Sequence, residues 1–516
     1  MRDNGVVAVG PEPLTFQDVI DVARHGAAVR LTDDAVAAMS AARQRVDELA
    51  ETPVPAYGIS TGFGALATRH IHPELRAQLQ RSLVRSHAAG SGPEVETEVV
   101  RALMLLRLRT LATGHTGVRP TTAKTLAALI GAGITPIVHE YGSLGCSGDL
   151  APLAHVALTL MGEGAVRDKS GDVLSAAEAL KQAHIEPVEL AAKEGLALIN
   201  GTDGMLGMLV LAIEDLTRLV RTADVSAAMS VEALLGTDRV FMPELQALRP
   251  HPGQALSAAN MAKILQNSGI MASHRDPAAC TRVQDAYSLR CAPQVAGAAR
   301  DTIAHAAAVA GRELASAVDN PVVLADGRVE SNGNFHGAPL GYVLDFLAVV
   351  AADLASMSER RTDRFLDVAR NHGLPAFLAD DPGVDSGHMI AQYTQAAIVS
   401  ELKRLAVPAS VDSIPSSAMQ EDHVSMGWSA ARKLRRSIDG LTRVLAIEVL
   451  TAARAIDLRA PLQPAPATAA VVRALRDTVP APGPDRFLAP EIDSAVRLVA
   501  DGAVVAAAES VTGPLS

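Results

Sequence analysis

The sequence predicts a mainly α-helical fold, with a loop-rich N-terminal part and a central bundle of long helices. Hydrophobic residues make up 48% of the 516 residues but aromatic residues only 3%. The core therefore has to be built mainly from Ala, Leu, Val and Ile on closely packed elements, which favours helices. Long segments also place apolar residues three and four positions apart, while clear strand alternation is scarce. The length allows two or three ordinary domains or one large helical subunit.

The longest helical pattern covers residues 429–458 without an internal proline and predicts a helix of the central bundle. One apolar stripe lines this segment, formed by Leu434, Ile438, Leu441, Leu445 and Val449. Further segments with helical spacing cover residues 99–113, 120–132, 205–235 and 340–364. A short hairpin is predicted where residues 322–324 and 328–330 flank Asp326-Gly327.

These elements divide the chain into three predicted segments. Residues 1–204 form an N-terminal domain, residues 205–459 the long-helix bundle, and residues 460–516 a C-terminal helical segment. Groups of three prolines bracket a helical pattern in the last segment, which indicates a terminal subdomain rather than a disordered tail. No internal repeat of roughly 20 to 50 residues is visible, which argues against a solenoid.

Composition excludes several classes of function. The chain has 46 Lys and Arg against 57 Asp and Glu, a net charge of −11 that argues against a nucleic-acid partner. Three cysteines are too few and too irregularly spaced for a disulfide framework or a zinc site, and they fit a reducing compartment. The N-terminus has no signal-peptide pattern, and the most apolar stretch carries Asp345 and Asp353. We expect a cytoplasmic protein without a membrane span.

The run GSLGCSGDLAPLAH, residues 142–155, contains the most informative motif. It has three interpretations. The first is a tight turn before a helix that Asp149 would cap. The second is a hydrolase nucleophile at Ser147, but the second glycine comes one position too early for a Gly-x-Ser-x-Gly elbow. The third is that the backbone of Cys146, Ser147 and Gly148 cyclises to an electrophilic methylidene-imidazolone, for which a glycine suits the attacking position.

The segment resembles the Ala-Ser-Gly loop of the aromatic amino acid ammonia-lyases, and the resemblance extends from Tyr57 to the C-terminal proline-rich region. It implies the ammonia-lyase/fumarase-like fold and 4-methylidene-imidazol-5-one, formed autocatalytically without an external cofactor. It also implies a homotetramer whose active sites draw loops from three subunits. Cys146 stands where alanine is usual, and we expect it to contribute only its backbone to the ring.

Two motifs imply the substrate. The pair Ser86-His87 is the histidine form of a position that is Phe-Leu in phenylalanine lyases and His-Leu in tyrosine lyases, and His87 can hydrogen-bond an imidazole. Glu421, in SSAMQEDHVSM, matches a glutamate beside the substrate imidazole, where phenylalanine lyases have glutamine. The resemblance thus implies elimination of ammonia from L-histidine to give trans-urocanate.

Other motifs imply the rest of the site. Tyr57, in YGISTGFG, corresponds to the base that removes the β-proton, and Arg290 corresponds to the partner of the substrate carboxylate. The remaining residues implied to contact the prosthetic group or the substrate are Asn200, Gln284, Tyr287, Asn320, Phe335 and Met389. Asp203 and His388 depart from the family's common Gln and Phe.

Three alternatives stay open at this stage. An aromatic amino acid 2,3-aminomutase uses the same prosthetic group and returns ammonia to the β-carbon. A lyase for another aromatic amino acid would share most of the motifs. A non-catalytic helical scaffold would share only the fold, and the joint presence of Tyr57, Ser147, Arg290 and Glu421 argues against it. No motif with the spacing of metal ligands is present.

Overall fold

The computed structural model describes residues 5–52, 55–276, 280 and 283–516. Helices dominate this part of the chain, in the order α1 Phe16–His25, α2 Asp33–Glu51, α3 Arg76–His87, α4 Thr97–Ala112, α5 Pro120–Ala132, α6 Leu150–Leu160, α7 Ala176–Gln182, α8 Glu194–Ile199, α9 Asp203–Ala233, α10 Pro243–Ala247, α11 Pro252–Ile264, α12 Gly269–Ala272, α13 Tyr287–Arg290, α14 Ala292–Leu314, α15 Ala338–Leu366, α16 Met389–Leu405, α17 Gly427–Asp457, α18 Pro466–Arg476, α19 Ala489–Ala500 and α20 Ala503–Thr512. The mainly α-helical fold class is confirmed.

The long predicted helices occur where the apolar spacing indicated. The segment predicted at 205–235 is α9, that at 340–364 is α15, and that at 429–458 is α17. All five residues of the predicted α17 stripe are buried. The shorter α5 starts with Pro120 at its first position and ends at Gly133 with φ of +71°, the residues that favour a helix start and stop.

Short strands accompany the helices, and most of them were not predicted. They are β1 Val6–Val9, β2 Ala28–Leu31, β3 Ser91–Glu94, β4 Thr135–Pro136, β5 His139–Tyr141, β6 Ala165–Arg167, β7 Val173–Ser175, β8 Val322–Val323 and β9 Val329–Glu330. β1 and β2 are parallel, whereas β3–β5, β4–β6–β7 and β8–β9 are antiparallel. The β8–β9 pair is the predicted hairpin, with Val323 opposite Val329. Strands of two to four residues are too short to show an alternating pattern.

The chain forms two compact units. The first comprises Met1–Leu211, Ala307–Asp345 and Pro408–Arg432. It contains α4, whose residues from Val99 to Ala112 are all buried, including three arginines. Because this helix is covered on every side, its charged residues must find partners inside the unit.

The second unit comprises Ala212–Ala306, Phe346–Val407 and Lys433–Ser516. Its core includes a buried ion pair between Arg361 and Glu448, and Glu448 also accepts hydrogen bonds from two serine hydroxyls of α9. Among the described residues, α15 alone is long and apolar enough to cross a membrane, and 61% of its apolar window is buried within the protein. The division at residues 204 and 459 stays a prediction.

Candidate active site

The tripeptide of Cys146, Ser147 and Gly148 forms a strained turn before α6. Ser147 has φ of +45°, a conformation that a serine rarely adopts, and Gly148 has φ of +80°. A Cβ atom at Gly148 would overlap the backbone carbonyl of Gly201, so only glycine fits this position. The turn is therefore compressed against the segment that leads into α9.

Hydrogen bonds to the backbone hold both ends of this turn. The Asp149 N–H donates to the Gly201 carbonyl at 2.6 Å. On the other side, the carbonyl of Gly145 accepts from the Gly337 N–H at 3.2 Å and from the Ser425 hydroxyl at 2.9 Å. Three segments distant in sequence thus fix the position of the tripeptide.

The Asp149 side chain caps a different helix from the one predicted. Asp149 precedes α6 but makes no side-chain cap there, so that prediction is wrong. Its Oδ2 accepts instead from the N–H groups of Gly204 and Met205, at 2.9 and 3.0 Å, in the first turn of α9. Burial raises the pKa of Asp149 to about 7, against the lowering effect of these donors. The residue ties the tripeptide to the start of the long helix.

Glu421 lies directly against the tripeptide. Its Oε1 accepts from the Ser147 hydroxyl at 3.3 Å, and its Oε2 accepts from the Cys146 thiol at 3.2 Å and from the Ser416 hydroxyl at 2.8 Å. Burial, followed by the contact with Glu421, raises the pKa of the Cys146 thiol to about 12. Cys146 is expected to contribute only its backbone to the ring, and its side chain donates a hydrogen bond to the carboxylate.

His87 is the last residue of α3 and interacts electrostatically with Glu421. Its Nδ1 lies 2.9 Å from the Leu83 carbonyl and 3.1 Å from the Ser86 hydroxyl. Because a carbonyl can only accept, and the Ser86 hydroxyl itself donates to Leu83, we assign the hydrogen to Nδ1, which leaves Nε2 as an acceptor. Burial lowers the pKa of His87, while the Leu83 carbonyl and then Glu421 act in the opposite direction. A neutral imidazole with an available acceptor nitrogen therefore lies in the neighbourhood of the carboxylate.

Asn200 and Asn320 contact each other. The Asn200 Nδ2 donates to the Asn320 carbonyl at 2.9 Å, and the Asn200 Oδ1 is buried with no hydrogen-bond partner among the described residues. Asn320 accepts from the Asn332 N–H at 3.0 Å through its Oδ1. Since Asn200 immediately precedes Gly201, this pair lies next to the tripeptide turn.

Buried ion pairs support this part of the site, and the sequence reasoning missed them. Arg107 on α4, fully buried, forms a salt bridge with Asp203 and donates to the Asn200 carbonyl at 3.2 Å. Lys193, also fully buried, donates to Asp319 at 2.6 Å. An arginine within the apolar run of α4 could have indicated such an ion pair in the sequence, because a buried charge needs a partner. Asp203 stands where Gln is common in the family, and its ion pair with Arg107 explains this difference.

Tyr57 and Phe335 lie in loops of the first unit. The Tyr57 Oη accepts from the Gly64 N–H at 3.2 Å, and its ring meets Phe63 edge to face at 6.5 Å. A Cβ at Gly64 would lie 2.9 Å from the Ser417 hydroxyl, so the tyrosine loop packs against the loop that carries Glu421. Phe335 is half-buried.

Four predicted site residues belong to the second unit. Gln284 is exposed, Tyr287 is 70% exposed, and the Arg290 guanidinium lies 4.7 Å from the centre of the Tyr287 ring. Met389 is half-buried and is the first residue of α16. The contacts of Ser147, Cys146 and Glu421 described above are all within the first unit.

The fold and the site together define a class of protein. A mainly α-helical chain holds a serine in a strained, glycine-flanked turn, and the hydroxyl contacts a carboxylate rather than the imidazole of a Ser-His hydrolase. This combination fits a carbon–nitrogen lyase and does not fit a serine hydrolase. The sequence profile described as aromatic amino acid lyase matches residues 14–477. The chain belongs to this family.

Individual relatives agree with that assignment. The chain is 68% identical over 511 residues to the histidine ammonia-lyase of Streptomyces avermitilis, with 99% of each chain covered. It is 50% identical over 514 residues to the histidine ammonia-lyase of Sorangium cellulosum, covering 98% of this chain and 99% of the relative.

Solved structures are similar over the same length. The crystal structure of histidine ammonia-lyase from Trypanosoma cruzi has a TM-score of 0.89 at 37% identity, covering 98% of this chain and 95% of that one. Tyrosine aminomutase from Streptomyces globisporus has a TM-score of 0.93 at 38% identity, covering 99% and 100%. The predicted fold type and family are confirmed.

Proposed function

We propose that this chain eliminates ammonia from L-histidine and releases trans-urocanate. The observation that carries the proposal is the Glu421 carboxylate, which contacts both Cys146 and Ser147 of the strained tripeptide and interacts with His87. Relatives that are 68% identical to this chain are named histidine ammonia-lyase. The site therefore combines a candidate electrophile with two groups suited to an imidazole.

The tripeptide fits the proposed 4-methylidene-imidazol-5-one. The Gly148 nitrogen bonds to the Cys146 carbonyl carbon, whose oxygen leaves as water with the hydrogens of the Gly148 and Ser147 nitrogens. Ser147 then loses its hydroxyl and its α-hydrogen as a second water, which leaves a Cα=Cβ double bond. The positive φ values of Ser147 and Gly148, together with the carbonyl of Gly201 where a Cβ would lie, support this compressed geometry. When formed, the group supplies an electrophilic carbon that no ordinary side chain offers.

His87 and Glu421 recognise the substrate imidazole. With Nδ1 donating to Leu83, the Nε2 of His87 is an acceptor, and burial favours the neutral ring by lowering its pKa. The Glu421 carboxylate is a second acceptor. An imidazole N–H can donate to the Nε2 of His87 or to the Oε1 of Glu421, whereas a phenyl ring offers a donor to neither atom, which discriminates strongly between substrates.

Tyr57 and Arg290 complete the proposed chemistry. Tyr57 removes the β-proton, and the Gly64 N–H that donates to its Oη stabilises negative charge there. Arg290 holds the substrate carboxylate through two charge-assisted hydrogen bonds. Gln284 and Tyr287 position the reacting groups, and Asn200, Asn320, Phe335 and Met389 line the site. The Oδ1 of Asn200, which is buried and has no partner within the described part of the chain, supports a contact of Asn200 with the prosthetic group or the substrate.

We further propose a cytoplasmic homotetramer whose sites draw loops from three subunits. α15 presents Tyr342, Phe346 and Val349 at 60%, 50% and 43% exposure, an apolar stripe with helical spacing that a second copy would cover. Tyr287 is 70% exposed within one subunit, which supports a contact between its loop and the active site of another subunit.

The direct test is to incubate the purified protein with L-histidine and to follow urocanate by its ultraviolet absorbance. We expect urocanate, and an intact mass lower than the sequence mass by two waters. Ser147→Ala should abolish both. Ser437→Ala, which removes a buried hydroxyl that donates to the Lys433 carbonyl within α17, is the matched control and should retain both. Turnover by Ser147→Ala at the wild-type rate would refute the proposed prosthetic group.

A 2,3-aminomutase is the second candidate, because the tyrosine aminomutase structure is as similar in fold as the histidine ammonia-lyase structure. The same incubation separates the two, since an aminomutase forms a β-amino acid without releasing ammonia in equal amount. Parallel incubations with tyrosine and phenylalanine test a lyase for another substrate. Absence of any reaction would favour the non-catalytic scaffold.

A further inference from the structure

The two carboxylate oxygens of Glu421 accept from different donors, and the proposed cyclisation removes only one of these donors. Oε2 accepts from the Cys146 thiol and the Ser416 hydroxyl, whereas Oε1 accepts from the Ser147 hydroxyl. The proposed cyclisation removes the Ser147 hydroxyl as water. Oε1 then loses its donor, while Oε2 keeps both of its own.

We propose that Cys146 is a positioning residue, whose thiol acts with the Ser416 hydroxyl to hold Oε2 of Glu421 so that Oε1 is presented to the substrate imidazole. This inference rests on the proposed function and deepens it. The ring uses only the backbone of Cys146, so the side chain is available for a second task. The alanine that is usual at this position has no donor.

The chemistry of the thiol suits this task. Cys146 is 7% exposed, and its pKa of about 12 keeps it protonated at neutral pH. A protonated thiol is a weak donor to a carboxylate, whereas a thiolate would repel it. The contact therefore orients Glu421 without adding a charge to the site.

Ser416 provides a rigid base for the same oxygen. Its N–H donates to the Glu421 carbonyl at 2.9 Å, and the Glu421 N–H donates back to the Ser416 carbonyl at 3.3 Å. This pair of backbone bonds fixes the distance between the two residues. Rotation of the carboxylate must therefore break both contacts to Oε2, and loss of either donor should loosen it.

The experiment compares Cys146→Ala with Cys146→Ser, which keeps a donor. Intact mass first establishes that each variant has lost two waters. Dissociation constants are then measured for urocanate and for cinnamate, which replaces the imidazole with a phenyl ring, together with kcat and KM for L-histidine. We expect Cys146→Ala to weaken urocanate binding about threefold to tenfold, the range of one net hydrogen bond. Cinnamate binding should not change, and Cys146→Ser should restore urocanate binding.

The outcomes separate this inference from the proposed function. Equal weakening of both ligands, or urocanate binding by Cys146→Ala at the wild-type level, would overturn the positioning role alone. A wild-type enzyme that forms no urocanate would overturn the proposed function and this role with it. If Cys146→Ala fails to fold or cyclise, Ser416→Ala removes the other donor to Oε2 and must show the same selective loss of urocanate binding.

Discussion

The buried imidazole of His388 makes the second unit sensitive to acid. His388 is 3% exposed, and its Nδ1 lies 3.1 Å from the Thr451 hydroxyl. Burial, followed by the charge of Arg454 and of two further arginines, lowers its pKa to about 3. We predict that His388→Phe, which introduces the residue common in the family, makes the stability of the protein less dependent on pH.

The magnitude follows from the difference between the folded and unfolded states. An unfolded chain binds a proton on this histidine below a pKa of about 6.5, whereas the folded chain binds it only near pH 3. Between these values, unfolding takes up one proton, so acid favours the unfolded state. The penalty is absent above about pH 7 and reaches about 2 kcal/mol at pH 5, at about 1.36 kcal/mol for each pH unit.

The assay is urea denaturation at pH 8 and pH 5, at one protein concentration because the stability of the proposed homotetramer depends on it. Between these pH values the wild type should lose about 2 kcal/mol more of its free energy of unfolding than His388→Phe. Loss of the Thr451 contact shifts the variant at both pH values and cancels in the comparison. His72→Gln, at an imidazole that is 69% exposed, is the control and should follow the wild type. Equal losses in the wild type and His388→Phe would refute the reasoning.

Two further predictions concern the support of the tripeptide. Gly148→Ala should yield a protein whose intact mass shows no loss of water, because the new methyl group overlaps the Gly201 carbonyl at a φ of +80°; a two-water loss would contradict this. Asp203→Asn leaves the Arg107 charge buried without its partner and should lower the free energy of unfolding by about 3–5 kcal/mol in urea. Glu163→Gln, which breaks an exposed pair, should leave the denaturation midpoint nearly unchanged, and a similar shift in both variants would count against the buried-pair argument.

The long helices could be predicted because their signal is local. An apolar stripe such as that of α17 repeats every three or four residues, and Pro120 and Gly133 mark the ends of α5 by their backbone preferences. Apart from the β8–β9 hairpin, the short strands could not be predicted, because a strand such as β4, with two residues, has no period to detect. Its existence depends on the partner strand.

The sequence by itself determined the helical fold class, the cyclisable tripeptide and the resemblance to the aromatic amino acid lyases. These depend on patterns and motifs that can be read within short segments. Only the tertiary structure decided that Glu421 contacts Cys146 across 275 residues, and that Asp149 caps α9 rather than α6. Such contacts depend on how helices distant in the chain pack, because a side chain bonds to whichever donor the packed core brings within reach.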